Sequence, residues 1–275
     1  MTKVVTVTNQ KGGTGKTTTS LIISYGLALR GSRVLLVDLD SQADASYSTL
    51  AQYDPFKTSL EVILGDVDIQ EAIVTVPTDM LTHISLLPAS ANLATLDIQL
   101  TKRQMIDAQY NLSDALKEVK QDYDYIIIDT PPAISMALLN ALTASDYVVI
   151  PTQADAYSLK GLGNLSNTID AIKQRSNPEL KTLGILIGRY DPRTKFTQAI
   201  TGMLEDTSKQ LHTKIFKTKL REAIAIKEAQ GEQKNLFEYD PRSKAAKNAT
   251  EFIDELLEDI AELNKTKQNG GYGND

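Results

Sequence analysis

Short apolar runs rich in Val and Ile recur along this chain, each giving way to a polar or glycine-bearing turn and then to a stretch with helical spacing. The runs at residues 4–8, 33–38, 84–89, 123–129, 147–151 and 183–188 predict strands. Their near-continuous apolar character is that of strands covered on both faces, as in a parallel sheet between two helical layers. Residues 20–30, 93–119, 159–175, 197–210 and the stretch after 244 carry helical patterns, and the first stops at Gly31, a natural residue just past a helix C-terminus. Between 45 and 80 the pattern is helical or irregular, with a short helix over 59–65 ending in Gly65. Repeated strand–helix units predict an α/β fold, a mainly parallel twisted sheet flanked by helices on both faces. One domain over residues 1–264 accounts for the pattern, and the tail at 265–275 has so little apolar content that disorder is expected.

The turn after the first strand carries the strongest chemical signal: Asn9-Gln10-Lys11-Gly12-Gly13-Thr14-Gly15-Lys16-Thr17-Thr18-Thr19. Strand, glycine-rich loop and helix in succession surround phosphate oxygens with backbone N–H groups and a helix N-terminus. Lys16 is expected on the β- and γ-phosphates, and the Thr17 hydroxyl on Mg²⁺. Gly15-Lys16-Thr17 completes the P-loop pattern, but its first glycine falls at Gln10, and a second lysine, Lys11, precedes the glycines. The fold is therefore expected to be that of a P-loop NTPase.

Two further strands end in carboxylates. Arg33-Val34-Leu35-Leu36-Val37-Asp38 leads into a polar loop holding Asp40, and ligands collect at this strand edge in α/β sheets. Tyr125-Ile126-Ile127-Ile128-Asp129 has the form of a Walker B strand, whose carboxylate reaches the Mg²⁺ shell from a buried position. Pro131 and Pro132 stiffen the segment after that strand, which suits either a switch loop sensing the γ-phosphate or a plain rigid turn.

Composition removes several alternatives. The 275 residues contain no cysteine, so disulfides, thiolate metal sites, iron–sulfur clusters and a cysteine nucleophile are excluded. His83 and His212 lack ligand spacing. No apolar run approaches the ~18 residues of a membrane span, and no signal-peptide stretch opens the chain, so a cytoplasmic location is expected. The net charge of −6 hides an asymmetry: residues 188–247 hold 13 Lys and Arg against 8 Asp and Glu, while the remainder holds 16 against 27. One basic region on an acidic protein points to an anionic partner met at one surface, or to ordinary solvated lysines.

Three motifs in order, Lys11-Gly12-Gly13-Thr14-Gly15-Lys16-Thr17-Thr18, Val37-Asp38-Leu39-Asp40-Ser41-Gln42 and Ile128-Asp129-Thr130-Pro131-Pro132, resemble the deviant Walker A ATPases, and within them the ParA (Soj-like) partition ATPases. Ser59-Leu60-Glu61-Val62-Ile63-Leu64-Gly65, Leu86-Leu87-Pro88-Ala89, Tyr190-Asp191-Pro192-Arg193-Thr194 and Tyr239-Asp240-Pro241-Arg242-Ser243 are similar to further segments of that family. The resemblance implies an ATPase that dimerises with ATP and Mg²⁺ and binds DNA nonspecifically on the nucleoid. It also implies a role in segregating a plasmid or chromosome, with hydrolysis stimulated by a ParB-like centromere-binding partner. Carried onto this sequence, Lys11 reaches across the homodimer to the other subunit's ATP and Lys16 holds the β- and γ-phosphates. Gly12, Gly13, Thr14, Gly15 and Thr18 complete the cradle. Thr17 binds Mg²⁺, Asp129 supports the metal shell through water, Asp38 lies beside it, and Asp40 positions or activates the attacking water. Two departures stand out: Ser41 replaces a proline common in relatives, and Lys219-Leu220-Arg221-Glu222-Ala223 replaces a segment that touches the adenine.

For the anionic partner, Arg193, Lys195, Lys219, Arg221 and Arg242 are candidate DNA-phosphate contacts, with Lys217 and Lys244 nearby. Without interleaved aromatic residues, nonspecific duplex binding with steep salt dependence is expected rather than stacking on single strands. A MinD-type membrane-positioning ATPase shares the same site residues, but it needs a basic amphipathic C-terminal helix. Residues 251–263 are amphipathic and acidic, so no membrane partner is expected. A third possibility is an ATP-gated dimerisation switch with negligible turnover.

Overall fold

The computed structural model describes residues 1–50, 57–77, 83–190, 195–210, 213–221 and 223–269. Seven strands form one sheet: β1 (Lys3–Val7), β2 (Arg33–Asp38), β3 (Val74–Thr75), β4 (His83–Leu87), β5 (Tyr125–Asp129), β6 (Tyr147–Gln153) and β7 (Lys181–Gly188). The helices of the first half are α1 (Lys16–Ala28), α2 (Asp44–Thr49), α3 (Ser59–Leu64), α4 (Ile69–Ala72), α5 (Leu96–Lys102) and α6 (Asn111–Val119). Those of the second half are α7 (Met136–Ala144), α8 (Ala156–Arg175), α9 (Lys195–Gln210), α10 (Ile224–Gly231), α11 (Leu236–Tyr239) and α12 (Lys244–Asn269).

The sheet order is β3-β4-β2-β5-β1-β6-β7, and every pairing is parallel except that of β3 with β4. Alternation along the central strands feeds two cores. Val5, Val7, Leu36 and Ile127 face α1 and α12, whereas Val4, Leu35, Val37 and Ile128 face α3, α6 and α7. Register aligns Val7 with Asp129, and Asp129 with Asp38, so the C-terminal ends of β1, β5 and β2 stand level beside the turn into α1. This is the crevice in which α/β sheets bind ligands.

Sequence patterning and structure differ at several points. Helix α1 begins at Lys16, four residues ahead of the expected start, because Gly15 at φ 89° turns the chain and its carbonyl accepts the Thr19 N–H at 2.9 Å. The stretch expected to be mostly helix over 93–119 is broken between α5 and α6, where Gln104 and Asp107 take positive φ. Strand β3 is only two residues long, too short to give a period.

Helix α12 continues to Asn269, into the stretch expected to be a disordered tail, and residues 270–275 lie outside the described set. Helix α12 packs against α1 through Phe252, Ile253, Leu256 and Ile260, all buried. Gly26 of α1 makes the approach possible: a Cβ there would sit 2.6 Å from Ile253 Cγ1. The apolar face of α12 is thus spent on the core, as its acidic outer face led one to expect, and among the described residues no helix is long and apolar enough to cross a membrane.

Candidate functional site

Helix α1 starts without a side-chain cap, so its first N–H groups face the loop that precedes it. An uncapped N-terminus lined by glycines favours an anion. The loop is tied down from both ends. Asn9 donates from Nδ2 to the Pro151 carbonyl at 2.8 Å and accepts the Lys11 N–H at 3.0 Å, while Gln153 Nε2 donates to the Gly13 carbonyl at 2.5 Å. Thr14 is buried, its hydroxyl donating to the Lys11 carbonyl at 3.3 Å.

Beneath the loop lies a hydroxyl–carboxylate cluster. Asp129 is fully buried; one oxygen accepts the Thr17 hydroxyl at 2.7 Å and the other the Ser20 hydroxyl at 2.9 Å. Asp38, its register partner on β2, accepts the Ser46 hydroxyl at 2.7 Å and the N–H groups of Ser46 and Asp40 at 2.9 and 3.0 Å. Burial pushes both carboxyls well above the ordinary range, the Asp38 charge raises Asp129 further, and the hydroxyl donors oppose the shift. Lys16 is 7 % exposed; burial lowers its pKa, and the charges of Asp129 and Asp40 pull it back up.

Glycines 12, 13 and 15, Lys16, Thr17, Thr18 and Asp40 line one cleft of about 730 Å³, large enough for a nucleotide. Of the residues expected at this site, Lys11, Thr14, Asp38 and Asp129 do not line the cleft; Thr14 is buried within the loop and Asp129 beneath it. Asp38 faces α2 rather than the cleft wall, its acceptors filled by Ser46, Asp40 and the α2 backbone, and it is not among the residues lining the cleft. Lys11 reaches back within its own chain to an ion pair with Asp155 at 2.5 Å. Partial burial works to raise the Asp155 carboxyl, but the Lys11 ammonium and the Ser158 N–H hold it below its ordinary value.

Hard oxygen donors from Thr17 and Asp129, beside a second buried carboxylate, suit Mg²⁺. Among the described residues no cluster of three or more His, Cys, Asp or Glu side chains offers a complete cage. A Mg²⁺ held by one hydroxyl, water and substrate phosphates fits that arrangement.

Sequence reasoning missed Ser20, Ser46, Asn9, Gln153 and Asp155. Ser20 was legible in principle, since it lies three residues after Thr17 on the same helical face. Asn9, Gln153 and Asp155 have partners more than 100 residues away, and Ser46 meets Asp38 through the turn that joins β2 to α2.

The basic candidates separate. Arg193 lies outside the described residues, and Lys195 opens α9, its side chain not described. Segment 214–220 runs along the free edge of β7, with Phe216 N–H donating to the Ile185 carbonyl and Leu220 N–H to that of Ile187. From it, Lys219 extends its ammonium 4.6 Å above the Tyr190 ring. Arg221 is exposed on a depression that Thr14 and Gly15 also line, and Arg242 is exposed in the turn before α12. Lys214 of the basic stretch is neutralised by Asp259 of α12, and Glu255 of the same helix accepts the backbone N–H of Lys217.

Residues 2–182 match the AAA domain family. Soj, the sporulation initiation inhibitor protein of Bacillus subtilis, is 37 % identical over 247 residues, covering 90 % of this chain and 94 % of its own length. The chain belongs to the ParA/Soj family of P-loop ATPases. The chromosome partitioning protein ParA of Myxococcus xanthus is 34 % identical, over 93 % of this chain and 88 % of its own. Among solved structures, cobyrinic acid a,c-diamide synthase of Mycobacterium smegmatis with bound ATP analogue and magnesium superposes at a TM-score of 0.79 and 33 % identity, covering 94 % of this chain and 95 % of its own.

Proposed function

We propose that this ATPase hydrolyses Mg²⁺-bound ATP in a cleft completed by a second copy of the chain, and that the ATP-bound dimer binds duplex DNA without sequence preference. The observation that carries this reading is the Thr17–Asp129–Ser20 cluster beneath an uncapped helix N-terminus, with Lys16 buried beside it. Phosphoryl transfer asks of the protein mainly position and charge. Lys16 supplies a desolvated cation to the β- and γ-phosphates, and the loop N–H groups fix their orientation. Asp129, gripped by two hydroxyls, holds Thr17 toward the cleft. Thr17, with Asp129 behind it, would hold Mg²⁺ here, and the ion would supply positive charge against the charge that develops in the transition state. Asp40, half-buried on the cleft wall, is the acceptor positioned for the attacking water.

Lys11 acts in trans, and to do so it leaves Asp155. That exchange links dimerisation to nucleotide state, because only a triphosphate on the partner replaces the lost carboxylate. The DNA surface comprises Arg221, Lys219 and Arg242 with Arg193 and Lys195, giving phosphate contacts that position the dimer without reading bases. A ParB-like partner accelerates turnover, and the nucleoid is where the dimer resides. Membrane positioning is disfavoured, because the apolar face of α12 is buried against α1.

The test is ATP hydrolysis measured with duplex DNA and a ParB-like centromere-binding protein, comparing wild type with Asp40→Ala. Stimulated turnover in the wild type, reduced by about 10²-fold or more in the variant, is expected. If neither hydrolyses ATP under any condition, the chain is a nucleotide-gated switch instead.

A further inference from the structure

Next to the phosphate cleft lies a smaller depression of about 100 Å³, walled by Pro151, Leu186, Leu220, Ala223 and Ile226. The two are joined through four residues common to both linings: Gly15, Thr18, Arg189 and Gln230. Only Arg189 among them carries a charge. It follows the last residue of β7, at the same sheet edge as the phosphate loop. Its neighbour Gly188 lies beside that loop, where a Cβ would be in ordinary van der Waals contact with the Thr14 carbonyl, at 4.0 Å.

Two features combine at Arg189. Its backbone is left-handed, with φ 49°, a conformation that favours glycine or asparagine over arginine. Its side chain is exposed, and among the described residues it makes no hydrogen bond or ion pair. Strain of this kind concentrates at ligand-binding positions, where an observed outlier motivates a functional reading. Here an exposed guanidinium is held, against backbone preference, at the junction of an anion cradle and an apolar recess. Lys16 lines only the cleft, and Arg221 and Lys227 only the depression, so Arg189 is the cation common to both linings.

A nucleoside triphosphate has the same bipartite form. With its β- and γ-phosphates at Lys16 and Thr17 and its base in the apolar recess, the connecting portion passes the shared residues. We propose that Arg189 is a nucleotide-binding residue that donates to the α-phosphate and thereby sets the affinity for di- and triphosphates alike. Neither the family motifs nor the departure at residues 219–223 marks this position. The inference rests on the ATP reading above.

Isothermal titration of the full chain with Mg²⁺ and either ADP or the non-hydrolysable analogue AMPPNP tests it. Arg189→Gln is expected to raise Kd for both ligands by the same factor, about tenfold, the scale of one charge-assisted hydrogen bond. Arg189→Lys is expected to recover part of the loss. Arg189→Gly, which suits the left-handed backbone, is expected to weaken both ligands equally while leaving the nucleotide-free melting temperature unchanged or higher. A loss confined to AMPPNP would assign the residue to the γ-phosphate and overturn the proposal. Unchanged affinity in Arg189→Gln overturns it too, as does a lower melting temperature in Arg189→Gly. If wild type binds neither ligand, the ATP reading fails and this inference with it, whereas normal wild-type binding with unaffected variants removes the Arg189 assignment alone.

Discussion

The phosphate-loop edge and the basic strip beyond β7 carry charge in opposite ways. At the first, Lys16, Asp38 and Asp129 are nearly or wholly buried, each polar atom is matched to a specific partner, and burial displaces their pKa values. At the second, Lys214, Lys217, Arg221 and Arg242 are exposed, and α12 supplies acids to the nearer part of the strip. A buried charge costs several kcal/mol unless paired, so it persists only where its chemistry is needed. An exposed charge costs almost nothing and is informative only as part of a surface. The two regions should therefore respond differently to substitution.

The largest effect is expected at the buried edge. Lys16→Ala should reduce ATP turnover by about 10²-fold or more, read as phosphate release with the fold verified by circular dichroism, because no water-exposed cation replaces a desolvated one. On the strip, Arg221→Glu should weaken binding to random-sequence duplex by about tenfold at low salt. It should also flatten the log Kd–log salt slope by about one or two. Lys214→Ala, whose ammonium is already paired with Asp259, should leave both quantities unchanged. Equal losses in the two variants, measured by fluorescence anisotropy, would erase the division within the strip.

A pH series sharpens the contrast from the other side. Without nucleotide and metal, Asp38 and Asp129 bind protons more tightly folded than unfolded, so their contribution to stability is complete below the ordinary carboxylate range. It is lost as pH rises through about 6 for Asp38 and about 8 for Asp129. The melting temperature should fall by several degrees over that window, and Asp129→Asn should remove most of the fall. A flat profile in differential scanning calorimetry would mean that the cluster stays neutral or paired throughout.

The smallest effect is expected at Asp155. Its pair with Lys11 is partly exposed, with side chains 31 % and 27 % accessible, so breaking it is worth at most about 1 kcal/mol. Asp155→Asn should favour the ATP-dependent dimer by no more than about fivefold in sedimentation equilibrium. A weaker dimer would instead make Asp155 a partner that Lys11 needs.

The same contrast explains what could be read in advance. The strands and the phosphate loop were legible because each is a local pattern: an apolar run, a glycine with positive φ, and a lysine and threonine at fixed offsets on one turn. The short β3 strand has too few residues to give a period, and the break before α6 depends on Gln104 and Asp107 taking positive φ, which their residue types do not announce. The basic region was legible only as a count of charges. Which cations are neutralised depended on α12 folding back beside segment 214–218.

Sequence alone determined that β1, the glycine loop and α1 make a phosphate cradle, and that β5 ends in a carboxylate able to reach it. These features need only residues adjacent in the chain. Tertiary structure decided that Asp38 is engaged by Ser46 rather than lining the cleft, that Asp129 is gripped by Ser20 as well as Thr17, and that Lys11 rests on Asp155, 144 residues away. It also placed Arg189 at the mouth of the site, without a partner among the described residues. The Asp38–Ser46 contact depends on how the turn after β2 folds back. The two long-range pairings follow from the order and register of strands in the sheet, which long crossover connections fix and which no local periodicity encodes.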